Sequence, residues 1–168
     1  MPIHLGIALY YVPGQYGAPS YFHWVLVATS ASSWASQPLL SFELKRQSPS
    51  DPYTRFITST NILRDNAFKG VVHLFTTTNY DLNTLQALIT DNFSASDSGW
   101  RLPGPYGPQG WTCATWILCF LSRMREEGTW VTDRNFEHVY TRVLNLGHEL
   151  LERTRNVHSQ GGVHVISF

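Results

Sequence analysis

The chain changes its sequence pattern about halfway along, and this change restricts the folds that it can adopt. The first half contains runs of apolar, aromatic and β-branched residues, which are typical of β-strands. We predict about five strands there: Ile3–Tyr11, Tyr21–Thr29, Leu39–Lys45, Tyr53–Ser59 and Val71–Thr77. The second half shows apolar residues at helical spacing instead. Strands followed by helices predict an α+β fold, with helices packed on an antiparallel sheet.

Apolar spacing and capping residues predict three helices in the second half. Asp81 and Asp133 can each cap a helix, and Gly128 ends the middle one. The predicted bounds are 81–91, 112–127 and 133–155. We expect one domain over 1–168, in which a strand-rich part (1–78) precedes a helical part (79–157) and a tail strand (162–168).

Composition excludes several classes of protein. Lys and Arg together number 12, as do Asp and Glu, so the chain lacks the basic excess of a general nucleic-acid binder. Charged residues make up 14% and aromatic residues another 14%, a balance opposite to that of disordered chains. No apolar run approaches the roughly 20 residues that a membrane span requires. The start, Met1–His4, has no cationic or long apolar region, so we expect no signal peptide and a cytoplasmic location.

Cys113 carries the most information about chemistry. It lies at the start of a predicted helix, after an irregular stretch (93–110) that holds three Pro and four Gly. A helix N-terminus carries partial positive charge and unpaired N–H groups, which stabilise a thiolate and an oxyanion. The alternative is that Cys113 is a small buried apolar residue, as many free cysteines are. Cys119 lies six residues on, about 240° around the helix, and is predicted to serve packing alone.

A thiol nucleophile needs a base, usually His, and a third group that orients the base. Of the seven His, His23 lies within a predicted strand and His164 lies in the tail strand. His148 and Glu152 have the spacing of metal ligands, but two ligands do not specify a metal site. We therefore expect neither a metal nor another cofactor.

Three segments carry a family resemblance: Gly6–Tyr10, Tyr21–Val27 and Trp111–Trp116. They resemble a family of small fungal proteins, over most of the chain to about Gly128. That family looks like a circularly permuted papain-like fold, of the NlpC type that includes lecithin-retinol acyltransferase. In the permuted order, the base on an early strand precedes the nucleophile on a later helix.

This resemblance implies Cys113 as the nucleophile and His23 as the base. It also implies a third polar group on the strand after His23, where the family has His and this chain has Glu43. A carboxylate can orient an imidazole and stabilise its cation. The alternative for Glu43 is an exposed strand charge. The usual papain order, with Cys before His, would instead make His164 the base.

Residues that precede Cys113 are predicted to complete the site. The amide of Gln109 would add an oxyanion donor, as a Gln before the Cys does in papain-like sites; the alternative is that Gln109 is only part of the turn Gly107–Gly110. Trp111 and Thr112 would contact the substrate. Trp100 and Tyr106, in the long loop, would form a lid or a pocket wall. An aromatic wall of this kind favours a small-molecule or peptide substrate that is apolar or aromatic.

The sequence therefore favours a cysteine-dependent acyl-transfer enzyme, a thiol hydrolase or acyltransferase that acts on an amide or ester. An acyl group on Cys113 would pass to water or to an amine or alcohol, and the fold alone does not choose between these outcomes. The alternative from another class is a binding or interaction module that kept the fold without catalysis. A structural component of a larger assembly is a third possibility.

Overall fold

The computed structural model describes residues 1–36, 39–59 and 65–168, and within them the secondary structure follows the predicted division into strands and then helices. The elements, in chain order, are β1 (Ile3–Val12), β2 (Tyr21–Thr29), β3 (Leu39–Lys45), β4 (Thr54–Ser59), β5 (Phe68–Thr77), α1 (Leu82–Asn92), α2 (Cys113–Glu126), α3 (Phe136–Glu152), β6 (His158–Gln160) and β7 (Val163–Ser167). The prediction of an α+β fold is confirmed.

The strands form one sheet in the order β4-β3-β2-β1-β5-β7-β6. Neighbouring strands are antiparallel, except that β5 and β7 run parallel. The described residues thus contain seven strands, and the prediction of about five was wrong. The strand that the pattern missed, β6, has three polar residues and no apolar alternation. It forms because Gly161 and Gly162 both adopt positive φ and turn the chain into β7.

The ends of the helices follow local capping. Asp81 accepts a hydrogen bond from the Thr84 backbone and caps α1, as predicted. The predicted cap of α3 was wrong: Asn135, not Asp133, accepts from the His138 backbone. This helix ends at Glu152, three residues before the predicted end. Among the described helices, none is long and apolar enough to cross a bilayer.

The main core lies between one sheet face and the helices. Alternation along β2 directs Trp24 and Leu26 into this core, whereas Val25 and Val27 pack in a smaller cluster on the opposite face. Trp34 belongs to the smaller cluster and covers that second face. The helices are therefore held against the face of β2 that carries Trp24.

Candidate active site

His23 lies at a place where two neighbouring strands separate. The residue pairs that join β2 to β3 run from Thr29–Leu39 to Leu26–Phe42, so His23 lies three residues beyond the last pair. Its Nε2 atom is 2.7 Å from Oε1 of Glu43. The structure thus brings together the predicted base and the predicted third group.

Glu43 is held from two sides. Its second oxygen, Oε2, is 2.9 Å from Nζ of Lys45, and its side chain is only 18% exposed. Burial alone would raise the pKa of Glu43, but the hydrogen bonds and positive charges of His23 and Lys45 hold it below its ordinary value. The carboxylate therefore stays ionised beside the ring. The signal for Lys45 was present in the sequence, because residues two apart on a strand share a face.

Cys113 is the first residue of α2, and the cap fixes the helix at that point. Thr112 accepts a hydrogen bond from the Thr115 backbone, and the Thr115 hydroxyl accepts one from the Thr112 backbone. This reciprocal capping box is a standard way to start a helix at a defined residue. The half-buried thiol is thereby placed at the positive end of the helix.

The Cys113 side chain and the His23 ring line the same cavity, and they are close enough for Cys113 to affect the pKa of the ring. Burial would lower the pKa of His23, but the hydrogen bonds to Cys113 and Glu43, with the negative charges of both, raise it to about 9. The His23 ring is therefore protonated at neutral pH. These three side chains come from β2, β3 and the start of α2.

Two tyrosines, Tyr10 and Tyr140, lie near this group. The Tyr10 ring centroid is 6.4 Å from that of His23, and burial, followed by the charges of Glu43 and Asp65, raises its pKa to about 12. Burial and the charge of Cys113 also raise the pKa of Tyr140. Tyr140 in turn stacks on Trp24, with ring centroids 5.5 Å apart. Tyr140 was not predicted from the sequence, because the position of α3 over the sheet is set by tertiary packing.

A cavity of about 600 Å³ opens at Cys113 and His23. Its size is in the range of pockets for small molecules. Six aromatic side chains among the described residues line it. They come from the strands, from the segment between β3 and β4, and from α3: Tyr11, Tyr21, Phe22, Trp24, Tyr53 and Tyr140. The same cavity is lined by Lys45, Arg46 and His148. The expected aromatic wall is present, but its residues differ from those predicted.

The loop residues before Cys113 are placed differently from the prediction, and of the five only Thr112 is among the described residues that line this cavity. The Gln109 amide donates to the carbonyls of Gly104 and Gly107, so it holds its own loop. Trp111 donates from Nε1 to the Ala95 carbonyl and packs on the core. The remaining two lie away from the thiol: Tyr106 is 70% exposed, and Trp100 lines a second cavity.

That second cavity, of about 390 Å³, contains Cys119. The thiol is half-buried and lies 3.9 Å from the Ser98 hydroxyl. Burial raises the pKa of Cys119, and the Ser98 hydrogen bond offsets this only in part. Cys119 thus lines a cavity on another side of α2. A residue that serves packing alone would be enclosed in the core, and Cys119 is not.

The alternative base, His164, lies on β7. Because β7 stands three places from β2 in the sheet, the spacing of strands puts the two backbones roughly 14 Å apart. The described residues that line the cavity at Cys113 include His23 and His148 but not His164. Within the described residues, no group of three or more His, Cys, Asp or Glu side chains is arranged to hold a metal ion.

Comparison of the chain with protein-family models, with curated proteins and with solved structures gives no match. The functional argument therefore depends on the geometry of the site.

Proposed function

We propose that this protein is a cysteine-dependent acyl-transfer enzyme that cleaves an amide or ester bond. The observation that carries the proposal is the position of the His23 ring, which bonds the Glu43 carboxylate at 2.7 Å and lines the same cavity as the Cys113 thiol. A nucleophile, a base and an orienting group in series are the signature of nucleophilic catalysis by a thiol. The aromatic cavity at the thiol provides a place for the substrate.

The residues have distinct roles in the proposed reaction. Glu43 holds the Nε2 side of the ring, which leaves Nδ1 for the proton shared with Cys113. The thiolate attacks the substrate carbonyl, and a C–S bond forms. The C–N or C–O bond then breaks, and His23 gives its proton to the departing amine or alcohol. Water, or an amine or alcohol acceptor, next gives a proton to His23 and attacks the acyl-enzyme, which releases Cys113.

The oxyanion of this reaction would be held by the start of α2. The geometry of a helix leaves its first N–H groups without intrahelical acceptors, and here these belong to Cys113 and Ala114. Thr115 is already engaged, because its N–H donates to the Thr112 hydroxyl. The Gln109 amide is occupied within its loop, so the proposal assigns the oxyanion to backbone donors alone.

The fold that we propose is the permuted papain-like one. Support comes from the chain order, in which a strand His precedes a helix-start Cys, and from the packing of α2 against β2 and β3 in an α+β fold. In this family resemblance the third group is expected to be His. The bonded Glu43 performs the same orienting task here with a negative charge.

Thiol reactivity tests the proposal without knowledge of the substrate. The protein is alkylated with iodoacetamide near pH 6, and the labelling of Cys113 and Cys119 is followed by peptide mass spectrometry. We expect Cys113 to react at least about ten times faster, because only the thiolate is nucleophilic and Cys119 lacks an imidazole partner. His23→Ala should abolish the difference, and the matched variant His164→Ala should retain it. Equal, slow labelling of both thiols would favour a non-catalytic binding module.

A further inference from the structure

Two cations line the cavity at Cys113, and their surroundings differ. Lys45 is paired with Glu43. Arg46, the next residue, lies within salt-bridge distance of no carboxylate among the described residues. It is nevertheless fixed in place: its guanidinium carbon is 4.9 Å from the centroid of the Tyr53 ring, and its Nη1 donates to the Pro49 carbonyl at 2.8 Å.

Tyr53 connects this guanidinium to the reactive thiol. Burial raises the pKa of the Tyr53 hydroxyl, the charge of Arg46 lowers it and the charge of Cys113 raises it. The Tyr53 ring, the Arg46 guanidinium stacked on it and the Cys113 thiol all line the same cavity. A substrate that occupies the cavity can reach both ends at once.

Apart from the proposed thiolate of Cys113, no acidic side chain among the described residues lines the cavity beside Arg46. Among its described lining residues there is neither Asp nor Glu. The nearby Glu43 already bonds His23 and Lys45 through its two oxygens. A held guanidinium on an aromatic wall, without a protein carboxylate, is suited to a planar or tetrahedral anion.

We propose that the substrate carries an anionic group, a carboxylate or a phosphate, that binds Arg46 while its apolar or aromatic body occupies the wall formed by Phe22, Tyr140 and Leu144. This proposal rests on the proposed function, because it names the substrate class of the same site. Tyr140, Leu144 and His148 lie four residues apart along one face of α3. That face extends about 12 Å at 1.5 Å per residue, which gives room for the body of the substrate.

Matched alkylating probes test this assignment. They are 4-(bromoacetamido)benzoate, its neutral benzamide counterpart and the corresponding phenylphosphonate, each with one aromatic ring between the reactive carbon and the distal group. The concentration dependence of Cys113 alkylation gives an apparent dissociation constant and a limiting rate for each probe. We expect the better anionic probe to bind about five-fold more tightly than the benzamide, the value of an exposed ion pair. Comparison of the two anions identifies carboxylate or phosphate as the preferred group.

Variants assign the preference to a residue. Arg46→Gln should bring the ratio of anionic to neutral binding close to one, and Arg46→Lys should keep part of the anion preference. Arg134→Gln is the matched control, since it removes one positive charge from an exposed residue outside the cavity. Equal binding of all three probes, or an anion preference that persists in Arg46→Gln, would overturn the proposal and leave the proposed function standing.

A binding measurement separates this proposal from catalysis. In Cys113→Ala protein, NMR titration compares 4-acetamidobenzoate, 4-acetamidobenzamide and 4-acetamidophenylphosphonate, which do not alkylate. An anion preference that depends on Arg46, together with an unreactive Cys113 in the native protein, would reject the enzyme and retain an anion-binding cavity. Loss of the preference in this titration would reject the anion site whatever the thiol does.

Discussion

The Glu43 carboxylate is predicted to keep His23 protonated well above neutral pH, and Glu43→Gln tests this. The substitution removes the negative charge but retains an oxygen that can accept a hydrogen bond from Nε2. It also frees Lys45, at small cost, because the Lys45 side chain is 56% exposed. The variant therefore isolates the charge of the third group from its hydrogen bond.

The expected change in the pKa of His23 follows from the groups that surround the ring. The pKa of His23 is about 9 against an ordinary 6.5, even though burial acts to lower it. A net difference of about 2.5 in pKa corresponds to roughly 3 kcal/mol in favour of the charged ring, and because burial opposes it, Cys113 and Glu43 together contribute more than this. A single opposite charge in contact shifts a pKa by about 1–3. Glu43→Gln should therefore lower the pKa of His23 by at least about 1, and the ring should lose its proton at correspondingly lower pH.

NMR titration of the histidine rings measures this directly. The chain contains seven His, and the signal that disappears in His23→Gln is assigned to His23. His73 provides an internal contrast, because burial and the charge of His4 lower its pKa, so it should titrate below the ordinary range. Cys113→Ala measures the contribution of the thiol to the pKa of His23. The double variant, with Glu43→Gln, shows whether Cys113 and Glu43 act on the ring independently.

The reasoning would be refuted by a native His23 that titrates near 6.5. It would equally be refuted by a Glu43→Gln protein in which the His23 signal moves at unchanged or higher pH. In the first case the ring does not lie between two negative groups in solution. In the second case the charge of the carboxylate does not raise the pKa of His23, and the sole role of Glu43 would be to accept the hydrogen bond from Nε2.

Three further predictions concern the framework of the site, each measured by chemical denaturation. Thr112→Ala should cost about 1 kcal/mol by removing the cap of α2, while Thr112→Ser should retain most of that stability and the reactivity of Cys113. Gly70→Ala should cost about 2 kcal/mol or more, because φ is +157° and a Cβ would lie 2.6 Å from the His164 carbonyl oxygen; Gly110→Ala, where a Cβ meets open space, should stay within about 0.5 kcal/mol. Trp116→Phe should cost about 2 kcal/mol, since the indole is 1% exposed and donates to the Ser94 carbonyl. A stability loss in Thr112→Ser equal to that in Thr112→Ala, a neutral Gly70→Ala or a neutral Trp116→Phe would contradict the corresponding argument.

Local chemistry explains which parts of the fold the sequence predicts well. The Asp81 cap depends on residues within one helical turn, and so does the helix start at Thr112, so both are readable from the chain. Asp133 and Asn135 are equally good caps by type, and the choice between them depends on where α3 meets the core through the buried Phe136. The strand β6 forms by pairing with β7, a contact that its own three residues do not encode.

The site likewise has parts that the sequence pattern can suggest and parts that depend on tertiary packing. His23 and Glu43 are 20 residues apart and meet because adjacent antiparallel strands bring them together, which a strand pattern can suggest. The aromatic wall was assigned to the loop that is near Cys113 in sequence. The structure builds it from Tyr53 and Tyr140, which are distant in sequence and are placed by packing. Proximity along the chain was therefore a poor guide to the cavity.

The two cysteines show how one helix creates two chemical environments. Cys113 lies in the first turn of α2, where the helix end faces β2 and an imidazole is within reach. Cys119 lies six residues further, on a side of the helix that faces Trp100, and burial raises its pKa. The positive end of a helix acts only over about one turn, so Cys113 lies within its range and Cys119 does not. Position along the helix, and the side that faces the sheet, are together the reason why the proposal names Cys113, and not Cys119, as the nucleophile.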